Sequence, residues 1–552
     1  MIGFLIALMI LPLATAVLLM LFRDSAGQNT ARWMALVGSV VTLCVAVTAV
    51  AKYQELNIGK ATQPVQPRVE WRHTWLTYSP QRTEHLGQVA KESISPAQVK
   101  LEFYFGADGV SLSLIALTAL LTISAVLISW ETIKERSADF YICLLVLEAG
   151  LIGVFLAFDL LLFYVFFEFT LIPMFFMVGL WGGSQRNYAA IKFFLYTLVG
   201  SLITLLGLAA LVVMAVQGGV ATPFSIPALA SHFTAHPMEY HIQVILFLSL
   251  AAGFIVKVPL FPFHTWLPLA HVEAPTAGSV MLAGVMLKLG SYGFFRICLP
   301  IYRQACEQVG LPLIATLSVI GIVYGSLCAL SQRDIKKLVA YSSVAHLGFC
   351  MLGMFALNAE GVTGSLLQMI NHGLSTGALF LLVGMIYDRY HTRQLDDLGG
   401  LAQRIPLIAV AMVFTTMASI GLPGLNGFVG EMLSLAGMFK IMPLYAVIGT
   451  SGVVLGAWYM LTMVQQGFFG PLREPHDVHD PVKDMSPREA CAFLPLAAMC
   501  VWIGVAPQPF IELMKPDIQA VVANYKVPGV KPGVQTSAIT TETSSAVTAV
   551  NR

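Results

Sequence analysis

Charge is scarce in this 552-residue chain: Asp, Glu, Lys and Arg make up 11% of it, against about 25% in an ordinary soluble domain. With 57% hydrophobic residues and a mean hydropathy of +0.77, that deficit excludes a water-soluble fold and points to a polytopic membrane protein whose first partner is the lipid bilayer. The net charge is +1, which leaves no basic excess for a nucleic acid. The eight cysteines are scattered, mostly in apolar segments, with no CxxC pair. That spacing argues against a disulfide frame, an iron–sulfur cluster or a zinc site. No dinucleotide-binding glycine fingerprint is present either, so no cofactor is expected in this chain. The first apolar run, IGFLIALMILPLATAVLLMLF, has no basic region before it and no small-residue cleavage site after it. It reads as a retained first helix.

What the chain has is length of apolar sequence. Runs of about 20 residues, enough to cross roughly 30 Å of hydrocarbon, recur fourteen times, near 2–22, 31–51, 108–130, 139–157, 159–180, 190–216, 240–260, 275–300, 311–331, 335–357, 362–387, 405–440, 443–469 and 488–508. The expected fold is all-α. The segment 52–107 is polar and reads as an extramembrane loop, and the Ser/Thr/Gly/Val-rich tail 527–552 as disordered. Fifteen lysines and arginines fall in odd-numbered loops and three (Arg296, Arg303, Lys440) in short even-numbered ones. The asymmetry makes the odd loops cytoplasmic and puts both termini on the other side.

Two spans look broken. Pro259 and Pro262 follow Lys257 in the seventh, and Gly421, Pro423, Gly424 and Gly427 precede Glu431 in the twelfth. Proline removes a backbone donor and clashes with the preceding turn. Breaks five spans apart signal two inverted five-helix repeats, here 131–305 (helices 4–8) and 306–470 (helices 9–13). Residues 1–130 would hold helices 1–3 and 471–526 the fourteenth helix and its flanks.

Against this background five charges stand inside apolar runs: Lys257, Lys288, Glu148, Glu168 and Glu431. Each costs roughly 2.5–3.5 kcal/mol near the bilayer centre, about 12–18 kcal/mol together, as much as a whole fold is stable by (about 5–15 kcal/mol). A set of mixed sign that expensive reads as a relay, and the simplest charge to relay is a proton. His346 and His372, on successive helices and titrating near pH 6.5, suit such a wire. Asp159, at a junction of spans, is expected to cap the next helix. His264 serves either a proton exit or its loop. If Glu168 stands about 4 Å from Lys257, the pair is worth roughly 4 kcal/mol at an effective dielectric of 20. Separating it would then free the lysine proton towards Lys288, His346, His372 and Glu431.

The stretch VKVPLFPFHTWLPLAHVEAPTAGSVMLAGVMLKLGSYGFFR, with FFEFTLIPMFFMVGLWG before it and KKLVAYSSVAHLGF, MINHGLSTGALFLLVGMIYDR and GLPGLNGFVGE after it, resembles the antiporter-like membrane subunits of respiratory complex I, in particular the bacterial M-type and mitochondrial chain 4 class. The resemblance runs from about residue 105 to about 508. It implies fourteen core helices, inverted repeats and one proton channel, with Glu168, Lys257, Lys288, His346, His372 and Glu431 in the channel. It also implies a bacterial inner membrane location, L-type and N-type chains as neighbours, and FMN, iron–sulfur clusters and quinone in partner subunits. Glu431 is the acidic terminal residue of M-type chains, where L and N chains typically carry lysine. A subunit of a multisubunit Na⁺(K⁺)/H⁺ antiporter is the alternative that these motifs allow.

Overall fold

The computed structural model describes residues 1–23, 27–56, 65–78, 99–475, 482–523 and 525; the tail 527–552, expected to be disordered, lies outside them. Thirteen helices among the described residues are long and apolar enough to span a bilayer. They are α1 (Ile2–Leu21), α2 (Gln28–Glu55), α3 (Gly109–Thr132), α4 (Ser137–Leu156), α5 (Leu160–Trp181), α6 (Arg186–Gln217), α8 (Tyr240–Lys257), α10 (Thr276–Ile301), α11 (Arg303–Leu330), α12 (Ile335–Met354), α13 (Ala359–Tyr390), α16 (Pro443–Phe468) and α17 (Pro487–Val505). The expected twelfth crossing is made in two pieces, α14 (Pro406–Ser419) and α15 (Asn426–Phe439). Three shorter helices complete the set: α7 (Ile226–Ala235), α9 (Trp266–Glu273) and α18 (Gln508–Val522).

The segment read as a plain loop holds more. Two strands, β1 (Val69–Tyr78) and β2 (Val99–Ala107), pair antiparallel from Val69 opposite Ala107 to Tyr78 opposite Val99, with one irregularity between Thr74 and Leu76. Their aromatic and β-branched residues suit a pleated ribbon. The hairpin is tied to the bundle where the Phe158 amide donates to the Tyr104 carbonyl at 3.0 Å.

Both expected breaks are present. α8 stops at Lys257 and the path resumes as α9, with Pro259 and Pro262 between them. The Trp266 indole donates to the Val256 carbonyl at 3.0 Å, replacing a partner that the interrupted helix cannot supply. The second break turns on Gly421 (φ +78°) and Gly424 (φ +92°), a left-handed conformation that favours glycine. Its edges are held by a reciprocal amide pair: Asn371 Nδ2 donates to the Asn426 carbonyl at 2.7 Å and Asn426 Nδ2 to the Asn371 carbonyl at 3.1 Å. α10 is irregular in another way, with π-helical turns at Leu282–Met286 and Phe294–Cys298 on either side of Lys288.

Arg296 is not the loop residue its position suggests. It is 1% exposed, and its guanidinium pairs with Asp108, the N-cap of α3. Asp517 of α18 joins the cluster by accepting from the Gly109 amide at 2.9 Å. Burial would raise the Asp108 carboxyl, but the adjacent guanidinium outweighs it and holds that group below its ordinary range. Burial, and after it the Asp108 charge, hold Asp517 well above the carboxylate range. Arg68 is a second cation acting on Asp517, and the cluster fastens α18 to the start of α3 and the end of α10.

The packing of α13 against α15 depends on glycine. A Cβ on Gly364 would lie 2.3 Å from the Ser434 amide nitrogen, which is backbone and cannot step aside. Gly364→Ala should destabilise the protein by about 1–3 kcal/mol, read as a lowered thermal unfolding midpoint. Gly321→Ala, where the new carbon meets nothing nearer than 3.9 Å, should leave the midpoint unchanged or raise it. In the same assay Arg296→Met should cost about 3–5 kcal/mol by stranding Asp108, whereas Asp517→Asn, which copies a protonated carboxyl, should be close to neutral.

Candidate functional site

The expected relay residues are buried in the bundle interior except Glu168, which is half-buried, and all but Glu148 fall into two groups. In the first, Glu168 sits on α5 just before an irregular turn at Thr170, with Pro173 denying the Phe169 carbonyl its usual donor. Lys257, at the end of α8, is 3% exposed. Its ammonium donates to the Phe167 carbonyl at 3.3 Å and lies 4.2 Å from the centre of the Phe167 ring. A desolvated cation over an aromatic face is worth about 2 kcal/mol. Glu168 and Lys257 are electrostatic neighbours, yet they form no ion pair within 4.0 Å, and Glu168 Oε1 is buried without a hydrogen-bond partner. The close pair expected from the sequence is thus opened by one residue: the lysine bonds to the backbone of Phe167 instead of to the adjacent carboxylate.

The second group is bonded more tightly. Lys288 is fully buried, and its ammonium reaches the Ala283 carbonyl and, at 2.6 Å, Nδ1 of His372. Ala283 lies in the π-helical turn, where Leu287 N bonds back to Leu282 O at 3.2 Å; the widened turn presents a carbonyl to the side chain. The rings of His372 and His346 stand 5.9 Å apart. His346 Nδ1 meets Glu431 Oε1 at 2.7 Å, and its Nε2 meets the Ser419 hydroxyl at 3.2 Å. Gln368 Nε2 donates to the same Glu431 oxygen at 3.0 Å. Lys288–His372 and His346–Glu431 are therefore two bonded pairs facing each other across one ring-to-ring step. Each imidazole has one nitrogen that can take a proton while the other gives one up.

Between the two groups lies a packed seam. A Cβ on Gly290 would come within 2.6 Å of the Phe254 carbonyl and of Val258, so α8 and α10 touch backbone to backbone there. No hydrogen bond joins Lys257 to Lys288.

Glu148, fully buried on α4, has neither oxygen within hydrogen-bond distance of a partner, though the Thr122 hydroxyl acts on it. Asp159 caps α5 as expected, accepting from Leu161 N at 2.9 Å and Leu162 N at 3.0 Å. His264 stands outside the line, stacked on Phe261 and edge-on to Tyr324 and Tyr341. The sequence reading did not single out Gln368 and Ser419. Gln368 had a signal: it precedes His372 by one helical turn on the same face of α13. Ser419 had none beyond standing at the break.

Comparison with known proteins follows this geometry. The family model described as NADH:quinone oxidoreductase/Mrp antiporter, TM, matches residues 157–456, more than half the chain. NADH-quinone oxidoreductase subunit M of Rhodobacter capsulatus is 42% identical over 93% of this chain and 95% of its own length. NADH-ubiquinone oxidoreductase chain 4 of Chondrus crispus is 45% identical over 75% of this chain and 81% of its own. Among solved structures, a chain of respiratory complex I from Thermus thermophilus superposes with a TM-score of 0.79 at 30% identity, covering 94% of this chain and 99% of that one. A chain of the Mrp complex from Dietzia sp. shares the fold (TM-score 0.76, 94% of this chain and 97% of that one) at 20% identity. The match over more than half the sequence, the near full-length relatives and the buried Lys–His and His–Glu pairs agree, and the chain belongs to the NADH:quinone oxidoreductase/Mrp antiporter transmembrane family.

Proposed function

We propose that this chain is the M-type, proton-translocating membrane subunit of an NADH:quinone oxidoreductase. Redox chemistry in partner subunits carrying FMN, iron–sulfur clusters and quinone drives it, and L-type and N-type chains flank it in a bacterial inner membrane. The observation that carries this reading is the pair of bonded couples, Lys288–His372 and His346–Glu431, in the bundle core. Both couples join titratable groups through a single shared hydrogen, so a proton can pass within each by exchange of donor and acceptor. Glu431 at the far end, beside the break between α14 and α15, receives it. Glu168 and Lys257 are the switch: a charge reaching Glu168 strengthens its hold on the Lys257 proton, and its loss releases that proton towards Lys288. Glu148, with two unbonded oxygens in the core, carries charge towards Glu168 in this reading.

Orientation rests on the lysine and arginine asymmetry, with the odd loops cytoplasmic and both termini periplasmic. Arg296 leaves the loop count because it is buried, which sharpens the asymmetry. The two five-helix units, 131–305 and 306–470, are supported by breaks in corresponding crossings, one beside Lys257 and one before Glu431. The higher identity to subunit M relatives favours the oxidoreductase over a cation antiporter, which shares the fold.

Lys257→Met in the assembled complex should abolish proton pumping by sealed membrane vesicles, followed with a pH-sensitive dye during NADH oxidation, while the complex stays intact on a native gel. Lys257→Arg, which keeps a charge that cannot be released, should fail in the same way. Pumping at the wild-type rate by Lys257→Met would refute the reading.

A further inference from the structure

A loading path for the second group is visible at the odd-loop end of the bundle. A cavity of about 580 Å³ opens there, among the ends of α3, α5, α9 and α13. Its lining carries Glu135, Arg186, Glu273, Asp388, Arg393 and Lys336. Lys336 is the exception in this set: it is 7% exposed, and its ammonium points inward. It donates to the Ala274 carbonyl at 2.6 Å and reaches the Val272 carbonyl at 3.4 Å. Those are carbonyls left open where the half-helix α9 ends, at the negative pole of its dipole. The other charges acting on Lys336 are Arg393, Asp334, Glu273 and Asp388.

One residue before Val272 on the same half-helix stands His271. It is fully buried, and neither ring nitrogen has a hydrogen-bond partner. The ring is stacked flat on Phe380 of α13, centroids 4.6 Å apart and planes 9° from parallel. Lys336 and Lys288 are the charges that act on it, and it in turn acts on His372. Burying an unbonded polar group is costly, and this imidazole has two such nitrogens. A ring wanted only for packing on Phe380 would be served better by phenylalanine. An imidazole with two free nitrogens, under the influence of two buried lysines, has a use for both.

We propose that protons reach Lys288 and His372 from the odd-loop face through Lys336 and then His271. His271 takes the proton on one ring nitrogen and gives it up from the other, and Phe380 fixes the plane of the ring. The path needs no passage across the α8–α10 seam, so the second group has its own supply. This inference rests on the proton-translocating reading above.

The test uses the intact complex in sealed vesicles, with pumping rate and electron transfer measured together. His271→Phe and His271→Gln should each lower the pumping rate about a hundredfold, the low end of what a positioned proton-transfer group contributes. Lys336→Met should do the same, and Lys337→Met, one residue away on the partly exposed face, should not. Glutamine decides between the roles: it keeps polarity but cannot relay a proton, so wild-type pumping with His271→Gln overturns the proposal. If His271→Phe does not assemble, His271→Gln and Lys336→Met decide. Wild-type pumping by Lys336→Met would overturn it too. Failure of the underlying reading looks different, because there Lys257→Met itself would pump normally.

Discussion

The three buried lysines share one arrangement on which the site depends: each ammonium rests on a backbone carbonyl at a helix irregularity. Lys257 holds the Phe167 carbonyl beside the turn at Thr170. Lys288 holds the Ala283 carbonyl in a π-helical turn, and Lys336 the Ala274 carbonyl past the end of α9. Inside hydrocarbon an unmet carbonyl and an unmet ammonium are each costly, and together they relieve one another. A carbonyl differs from a carboxylate in one respect that matters here. It accepts from a charged or a neutral amine without becoming an uncompensated charge when the proton departs. Arg296 is the contrast, because its charge is permanent and its partner, Asp108, is a carboxylate. One kind of pairing suits a charge that moves, the other a charge that fastens helices together.

The helix breaks and the relay are one feature seen from two sides. Pro259 and Pro262 end α8 at Lys257, and the short α9 that follows supplies both the carbonyls for Lys336 and the ring of His271. Gly421 and Gly424 interrupt the twelfth crossing so that Ser419 meets His346, and Glu431 lies just over one turn into the resumed helix, bonded to Gln368. In each case the interruption turns backbone groups inward, where side chains of the next helices can use them. An unbroken helix bonds its own carbonyls and offers none.

Much of this was legible because the apolar background makes every exception visible. Glu168, Lys257, Lys288 and Glu431 stood out by being charged where nothing else is, and His346 and His372 by lying in successive spans. Partnership was not legible. Lys288 and His372 are 84 residues apart, and only the packing of α10 on α13, aided by a π-helical turn that no residue pattern announces, brings them together. Lys336 and Arg296 were read as loop charges because each lies close to a helix end. Their burial depends on what covers that end, α9 in one case and α18 in the other. The hairpin was hidden by its polar composition, although VEWRHTWLTY and VKLEFYFGA are dense in residues that strands favour.

A line bonded from Glu168 to Glu431 without interruption would let protons equilibrate along it at all times, and no outside event could set the direction of flow. The contact of Gly290 with the Phe254 carbonyl removes that freedom by bringing two backbones so close that no side chain fits between them. Glycine at 290 is what allows the approach, and no hydrogen bond joins Lys257 to Lys288 across the packed seam. A proton released from Lys257 towards Lys288 therefore crosses only when the seam opens, so that passage is tied to an event and does not run at all times.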